Sequence, residues 1–415
     1  MNATTVRISR ERNSRGAVLV HVAFAMLALL ALSSFVFDYG VMWVSRGQVQ
    51  NAADAGALAG AIALAFDYDT QENAKLKAQA VARRNLVFSE PPDVDIALND
   101  VSIEPCPFTP GLPPDTCVRV RAFRNQERSN PLPTFFARLA GVMDQGVEAT
   151  ATARGIAANA ARCLRPWAVA DRWQEVNSPP WTQSSLFEPA AGDTYDRTMG
   201  FSRIDPTTRR PVYHGLQVKL KMGHSGPPLA AGTLSSGWSM ALDLPNAETP
   251  QYDNNISGCT SAVVGIASNA EQCLTVGFER GCLDVYSGGH SGAVTNPNGA
   301  LADLLASDGD ATWRNGTIVD SDYTVSPRIV PIAVFDPALY LSRGYTGTNG
   351  VIKVVGLVGF FIEGSCRDSV VLESYVPPCT SNQNDVIGRL VRFPGANLAG
   401  GTVNGAFGTI ITLVR

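Results

Sequence analysis

An unbroken apolar run near the N-terminus constrains this chain more than any other feature of its sequence. Residues 16–37 read GAVLVHVAFAMLALLALSSFVF and contain no acidic residue, lysine or arginine. As a helix rising about 1.5 Å per residue, the run is ~33 Å long, enough to cross the ~30 Å hydrocarbon layer of a bilayer. It predicts one membrane-spanning helix, and we assign residues 16–44 to this anchor.

The charges around the run predict its orientation. Residues 1–15 form a basic tail with four arginines and one acid, and Asp38 follows the run. Because lysine and arginine favour the cytoplasmic side, we expect the tail inside and the bulk of the chain outside the cytoplasm. The alternative is a cleaved signal peptide, which has a shorter apolar core and a small-residue cleavage site. The long run continues into a helix-forming sequence without a proline, which favours a retained anchor.

All eight cysteines follow the anchor, on the side expected to be oxidising. An even number there predicts disulfides rather than metal ligands, and no zinc-like Cys or His spacing occurs. The candidate disulfide cysteines are Cys106, Cys117, Cys163, Cys259, Cys273, Cys282, Cys366 and Cys379. The first two flank a proline-rich loop and the last two flank a second loop, so each pair is a candidate bridge. The pairing of the other four stays open. We expect no metal and no cofactor.

The composition indicates a folded protein and excludes one class of partner. Apolar residues make up 45% of the chain and charged residues 17%, enough to bury a sizeable core. The net charge is −4, and no arginine-rich stripe interleaved with aromatic residues occurs. We therefore expect no binding to nucleic acid.

Residues 45–88 predict a helical segment outside the membrane. Ala52, Gly56 and Gly60 recur at four-residue spacing, which gives a helix a smooth face for close packing. This candidate helix-packing face fits either a partner's helix or the chain's own domain. Asp38 and Asp54 also have two possible roles. Each either pairs with a cation of a partner or is solvated or capped within this chain.

The rest of the chain predicts an α+β fold in two parts. Residues 89–160 form a small α+β domain, with alternating strands, a helix around residues 134–141, and a preceding helix that places Ala74, Ala78 and Val81 on one face. Residues 161–415 form a β-rich domain with long loops, because turn signals separate β-branched apolar runs. The strand candidates of the whole chain are residues 93–105, 117–124, 147–158, 216–222, 328–335, 351–362, 386–393 and 403–414.

Residues 15–62 carry a recognisable set of motifs. They are Arg15-Gly16-Ala17-Val18, the apolar run, Phe37-Asp38-Tyr39-Gly40, and QVQNAADAGALAGA at 48–61. This segment resembles the N-terminus of the TadE/TadG proteins of tight-adherence (Tad, or Flp) pilus assembly. Residues 162–173 and 326–337 also resemble soluble regions of some TadG-like proteins.

Two departures refine the resemblance. TadE-like pseudopilins have a glutamate five residues after the glycine at which they are cut, whereas this chain has His21. The resemblance is therefore closer to TadG, whose anchor is retained. Some TadG proteins also resemble von Willebrand factor A domains with an Asp-x-Ser-x-Ser metal motif. The nearest strings here, Asp322-Tyr-Thr324-Val-Ser326 and the overlapping Asp320-Ser-Asp322-Tyr-Thr324, are typical of turns.

Other enzyme-like strings are weak. Gly-His-Ser-Gly occurs at 223–226 and 289–292, but neither Ser225 nor Ser291 has the Gly-x-Ser-x-Gly pattern of a nucleophile elbow. Both strings are typical of glycine-rich turns. Asp308 and Asp310 lack the twelve-residue pattern of a calcium loop.

The sequence therefore favours a non-catalytic, membrane-anchored, TadG-like component of Flp pilus assembly. Its expected partners are other pilus-assembly or pilin proteins and the inner membrane, with possible contact to the cell wall. Two alternatives remain open. One is a membrane-tethered adhesion or binding module, and the other is an extracytoplasmic serine hydrolase that uses Ser225 or Ser291.

Overall fold

The computed structural model describes residues 14–66, 71–106, 116–205, 211–220, 233–244, 251–285, 299–345, 350–379, 385–399 and 407–414. Helices and strands both occur in these ranges, which confirms the α+β class. The helices are α1 (Ser14–Phe66), α2 (Gln71–Arg84), α3 (Gln251–Ser257), α4 (Ala300–Ala306) and α5 (Pro337–Ser342). Short 3-10 helices span Gln126–Arg128, Ala137–Ala140, Pro189–Ala191, Arg197–Met199 and Phe278–Arg280.

Strands account for most of the remaining regular structure. They are β1 (Val101–Pro105), β2 (Thr116–Arg124), β3 (Leu132–Pro133), β4 (Asp144–Gln145), β5 (Val147–Ala157), β6 (Ala160–Ala161), β7 (Trp167–Ala170), β8 (Leu186–Phe187), β9 (Gln217–Leu220), β10 (Leu234–Ser235), β11 (Ser239–Asp243), β12 (Val264–Gly265), β13 (Cys282–Val285), β14 (Thr312–Arg314), β15 (Thr317–Val319), β16 (Ile329–Phe335), β17 (Val351–Ser365), β18 (Val386–Val391), β19 (Phe393–Pro394) and β20 (Gly408–Val414).

The chain divides into two compact units. The first comprises Met1–Ala61, Gln71–Arg154 and Leu413–Arg415, and the second comprises Ile62–Thr70 and Gly155–Thr412. The finer domain boundaries expected from the sequence stay predictions.

The first unit packs the later part of α1 and α2 with an antiparallel sheet in the order β1-β2-β5. Strand β5 alternates as its sequence predicts, because Val147, Ala149 and Ala151 are buried and the residues between them are exposed. Helix α2 buries Ala82 with Ala74 and Ala78, in place of the expected Val81. A step of four residues turns a helix by about 400° and a step of three by about 300°, so Ala82 lies nearer the line of Ala78.

The second unit contains a seven-stranded sheet in the order β13-β11-β7-β16-β17-β18-β9. Its long strand β17 is buried along most of its length, which explains its continuous apolar sequence. Strands β7 and β16 run parallel, with Ala333 beside Ala168. They come from the two stretches that resemble TadG soluble regions, 162–173 and 326–337.

Disulfides join all eight cysteines. The two expected pairs are present as Cys106–Cys117 and Cys366–Cys379. The four cysteines whose pairing the sequence left open join as Cys163–Cys259 and Cys273–Cys282.

Candidate functional site

The exposure of α1 changes at Asp38, beyond which one face of the helix is buried. From Val18 to Phe37 its large apolar side chains are between 51% and 73% exposed, on all sides of the helix. Asp38 is 6% exposed and begins the part of α1 that packs on the first unit. By length and composition alone, the exposed part of α1 is long and apolar enough to cross a membrane. The structure therefore separates a candidate membrane anchor from a packed helix without a break in α1.

Asp38 holds a loop of the first unit against the end of the exposed run. Its carboxylate accepts hydrogen bonds from the backbone N–H groups of Phe135 at 2.8 Å, Phe136 at 3.1 Å and Ala137 at 2.6 Å. The first N–H groups of a helical turn have no partner within that turn, and here the turn is the 3-10 helix Ala137–Ala140. The carboxylate replaces the missing acceptors, so Asp38 acts as a cap within the chain.

The small-residue face of α1 packs on the same unit. Ala52 is fully buried. A Cβ placed on Gly56 would lie 2.9 Å from the Ala78 carbonyl oxygen, and one placed on Gly60 would lie 2.7 Å from Val118 Cγ1. Real Cβ atoms do not approach other atoms so closely, so both positions require glycine for this contact. The face meets α2 and β2 of its own chain, and it is not an exposed surface.

Asp54 also has a partner within α1. Its carboxylate accepts a hydrogen bond from the side-chain amide of Gln50 at 2.8 Å, one helical turn away. Such a pair supports the helix itself.

The enzyme-like strings do not form a described catalytic site. Ser225 and Ser291 lie outside the described residues. Asp308 is buried and accepts a hydrogen bond from Ser321 Oγ at 2.7 Å, whereas Asp310 and Asp322 are exposed. Hydrogen bonds of this kind stabilise turns between irregular segments.

One group of side chains has the spacing of a metal site. The candidate ligand atoms of Glu271, Cys273 and Cys282 lie within 4.8 Å of one another. The two sulfur atoms are joined in a disulfide, however, and a cysteine binds a metal as a free thiolate. In the oxidised protein, the two cysteines of this group form a disulfide cross-link.

No motif in the sequence marks Asp171, a buried acid of the second unit. Asp171 is 2% exposed, and burial raises its pKa to about 6. It accepts hydrogen bonds from the Phe201 N–H at 2.8 Å, the Arg172 N–H at 2.9 Å and the Tyr195 hydroxyl at 2.9 Å. Burial and the Asp171 charge both raise the pKa of Tyr195. These donors all belong to the chain and the carboxylate is covered, so Asp171 is a structural residue that contributes most to stability when it is protonated.

Two family models match the N-terminal part of the chain. Residues 16–63 match a family described as putative Flp pilus-assembly TadE/G-like, and residues 59–153 match one described as putative Tad-like Flp pilus-assembly. The N-terminal third of this chain is therefore similar to Tad-like Flp pilus-assembly proteins. Together the two matches cover residues 16–153, which include the exposed run, the Asp38 cap and the glycine face, and they end one residue before Arg154, the last residue of that part of the first unit.

The comparisons reach no further along the chain. No curated protein and no solved structure gives a significant match. Neither matched family is described as catalytic.

Proposed function

We propose that this protein is a non-catalytic, TadG-like component of Flp pilus assembly that acts through protein contacts in the cell envelope. Helix α1 anchors it in the inner membrane, with residues 1–15 in the cytoplasm and the chain that follows the anchor outside. The observation that carries the proposal is the match of residues 16–153 to pilus-assembly families, on a chain whose exposed apolar helix is long enough to span a bilayer. His21 in place of the pseudopilin glutamate supports the TadG-like assignment.

The continuity of α1 supports a retained anchor. The helix runs from Ser14 to Phe66, and Asp38, which is buried, comes directly after the apolar run. A signal-peptide cleavage site would have to lie within this helix, close to the Asp38 cap.

Two disulfide-closed loops of the second unit support a role in protein contacts. Leu274 is 80% exposed in the loop closed by Cys273–Cys282, and Val371 is 85% exposed in the loop closed by Cys366–Cys379. A cross-linked loop has less conformational freedom to lose when it binds a partner. We assign these two loops as contact sites for a pilin or another assembly protein.

Site-specific photo-cross-linking in cells tests the proposal. A photoreactive residue replaces Leu274 or Val371 in the full-length protein, and Asp310, an exposed polar residue of the same unit, serves as the matched control. We expect cross-links from the two apolar positions to a pilin or pilus-assembly protein, and none from the control. Normal Flp pili in cells that lack the gene would refute the function, and recovery of the protein only as a soluble cytoplasmic species would refute the anchor.

A further inference from the structure

A short loop of the first unit exposes an unusual number of apolar side chains. In residues 134–143, here called the 134–143 loop, Phe135 is 54% exposed and Phe136 is 39% exposed. Val142 is 50% exposed and Met143 is 62% exposed. Single exposed apolar residues are common on protein surfaces, but a contiguous group marks a site of contact with a partner or a membrane.

The position of this loop indicates which contact it makes. Asp38 fixes its backbone beside the end of the apolar run, through the hydrogen bonds to Phe135, Phe136 and Ala137. The ring of Phe37, the last residue of that run, lies 5.6 Å from the ring of Phe136. The loop therefore lies where α1 leaves the hydrocarbon layer.

The next turns of α1 carry the side chains of a membrane–water interface. Tyr39 is 45% exposed and Trp43 is 62% exposed, and their ring centroids are 6.3 Å apart. Tyrosine and tryptophan collect at the level of the lipid headgroups. At about 1.5 Å per residue, Trp43 lies ~9 Å beyond Phe37 along the helix. Arg46, also exposed, follows one turn later. The 134–143 loop is thus level with the boundary between acyl chains and headgroups.

Hydrogen bonds within the loop suit it to that boundary. The Thr134 hydroxyl lies 2.7 Å from the Val142 carbonyl oxygen, and the Val142 N–H donates to the Ala137 carbonyl at 3.0 Å. Asp38 accepts from the N–H groups at the start of the turn. Backbone groups that enter a low-dielectric region need internal partners, and these contacts supply them. The exposed Arg138 side chain adds a cation at headgroup level, where it suits lipid phosphate.

We propose that the 134–143 loop is a second membrane-contacting element, which inserts its four apolar side chains among the lipids around the emerging α1. A helix alone leaves a domain free to tilt and rotate over the bilayer. A second contact beside it sets the height and orientation of the first unit. This inference rests on the proposed function in one respect, that α1 crosses the bilayer.

Spin labels on the full-length protein in phosphatidylcholine–phosphatidylglycerol nanodiscs test this inference. One added cysteine carries the nitroxide at Val142 or at Met143, and accessibility to oxygen and to a water-soluble nickel complex is measured. Leu30 in the exposed run is the lipid control, and Glu127, exposed on the first unit, is the aqueous control. Mass spectrometry of the Cys106–Cys117 disulfide verifies that each variant has folded.

We expect oxygen-dominated accessibility at Val142 and Met143, as at Leu30, and nickel-dominated accessibility at Glu127. Nickel-dominated accessibility at both loop positions, with Leu30 still in lipid, overturns the inference and leaves the anchor intact. Low accessibility to both reagents shows that protein covers the loop and also overturns it. Nickel access at Leu30 refutes the anchor itself, so the two failures are distinguishable.

Discussion

The glycine face of α1 gives a sharp prediction, because the same helix offers a matched control. Gly56→Ala places a Cβ 2.9 Å from the Ala78 carbonyl oxygen, a backbone atom that moves only if α2 moves. At Gly47 an added Cβ meets no atom within 4 Å. Both changes gain about 1 kcal/mol of helix propensity. Only Gly56→Ala incurs an overpacking cost, of about 1–3 kcal/mol. The difference between the two variants therefore isolates the packing contribution.

Hydrogen exchange of the full-length protein in nanodiscs measures that difference locally. If α2 opens about 1–3 kcal/mol more readily in Gly56→Ala than in Gly47→Ala, its amides exchange roughly 5- to 150-fold faster. Gly47→Ala should leave α2 exchange unchanged or slightly slower than in the wild type. Equal exchange of α2 in the two variants would refute this reasoning. It would mean that the glycine face does not pack on α2, and a partner's helix would again be a candidate for it.

Three further predictions follow from individual contacts. The folded pKa of Asp171, about 6, exceeds its unfolded value of about 3.9, so its contribution to stability is complete below about pH 4 and falls by about 3 kcal/mol as pH rises through 6. Asp171→Asn should remove that loss. Urea unfolding, monitored by tryptophan fluorescence at several pH values, measures it, and a variant with the wild-type pH profile would contradict the role given to Asp171. Asp38→Asn keeps an oxygen acceptor but loses the charge, so the 134–143 loop should exchange its amides faster while α2 does not; equal effects on both would contradict a local cap. The Cys163–Cys259 bridge joins residues 96 apart in sequence, and Cys273–Cys282 joins residues 9 apart. In the chain-entropy model, removing the first should lower the free energy of unfolding by about 2 kcal/mol more than removing the second. Equal losses in urea titrations would reject that model here.

The local features of this fold were predictable from sequence because each depends on neighbouring residues. The apolar run, the alternation in β5 and the continuous apolar strand β17 depend on helix or strand period and on burial over a short window. The bridges Cys106–Cys117 and Cys366–Cys379 close short loops, so their cysteines are close along the chain as well as in space.

Contacts between distant residues were not predictable in the same way. Asp38 meets backbone groups about a hundred residues further along the chain, and any backbone N–H can serve as the donor, so no residue type at 135–137 marks the contact. The sequence predicted that Gly56 lies on a packing face but not which surface it meets. The two-residue strands, such as β8 and β12, are too short to show a period in the sequence. Their extended conformation depends on the strands with which they pair.

The features of α1 together limit where partners bind. One helix carries the exposed run, the Asp38 cap and the glycine face in succession, so the candidate anchor and the core of the first unit share a continuous backbone. A change of tilt at the anchor therefore moves the first unit with it. Because Gly56 and Gly60 are covered by α2 and β2, a partner cannot use that face unless the unit opens. The contacts that we propose with other assembly proteins then use surfaces that are exposed in the folded protein, such as Leu274 and Val371 in the disulfide-closed loops.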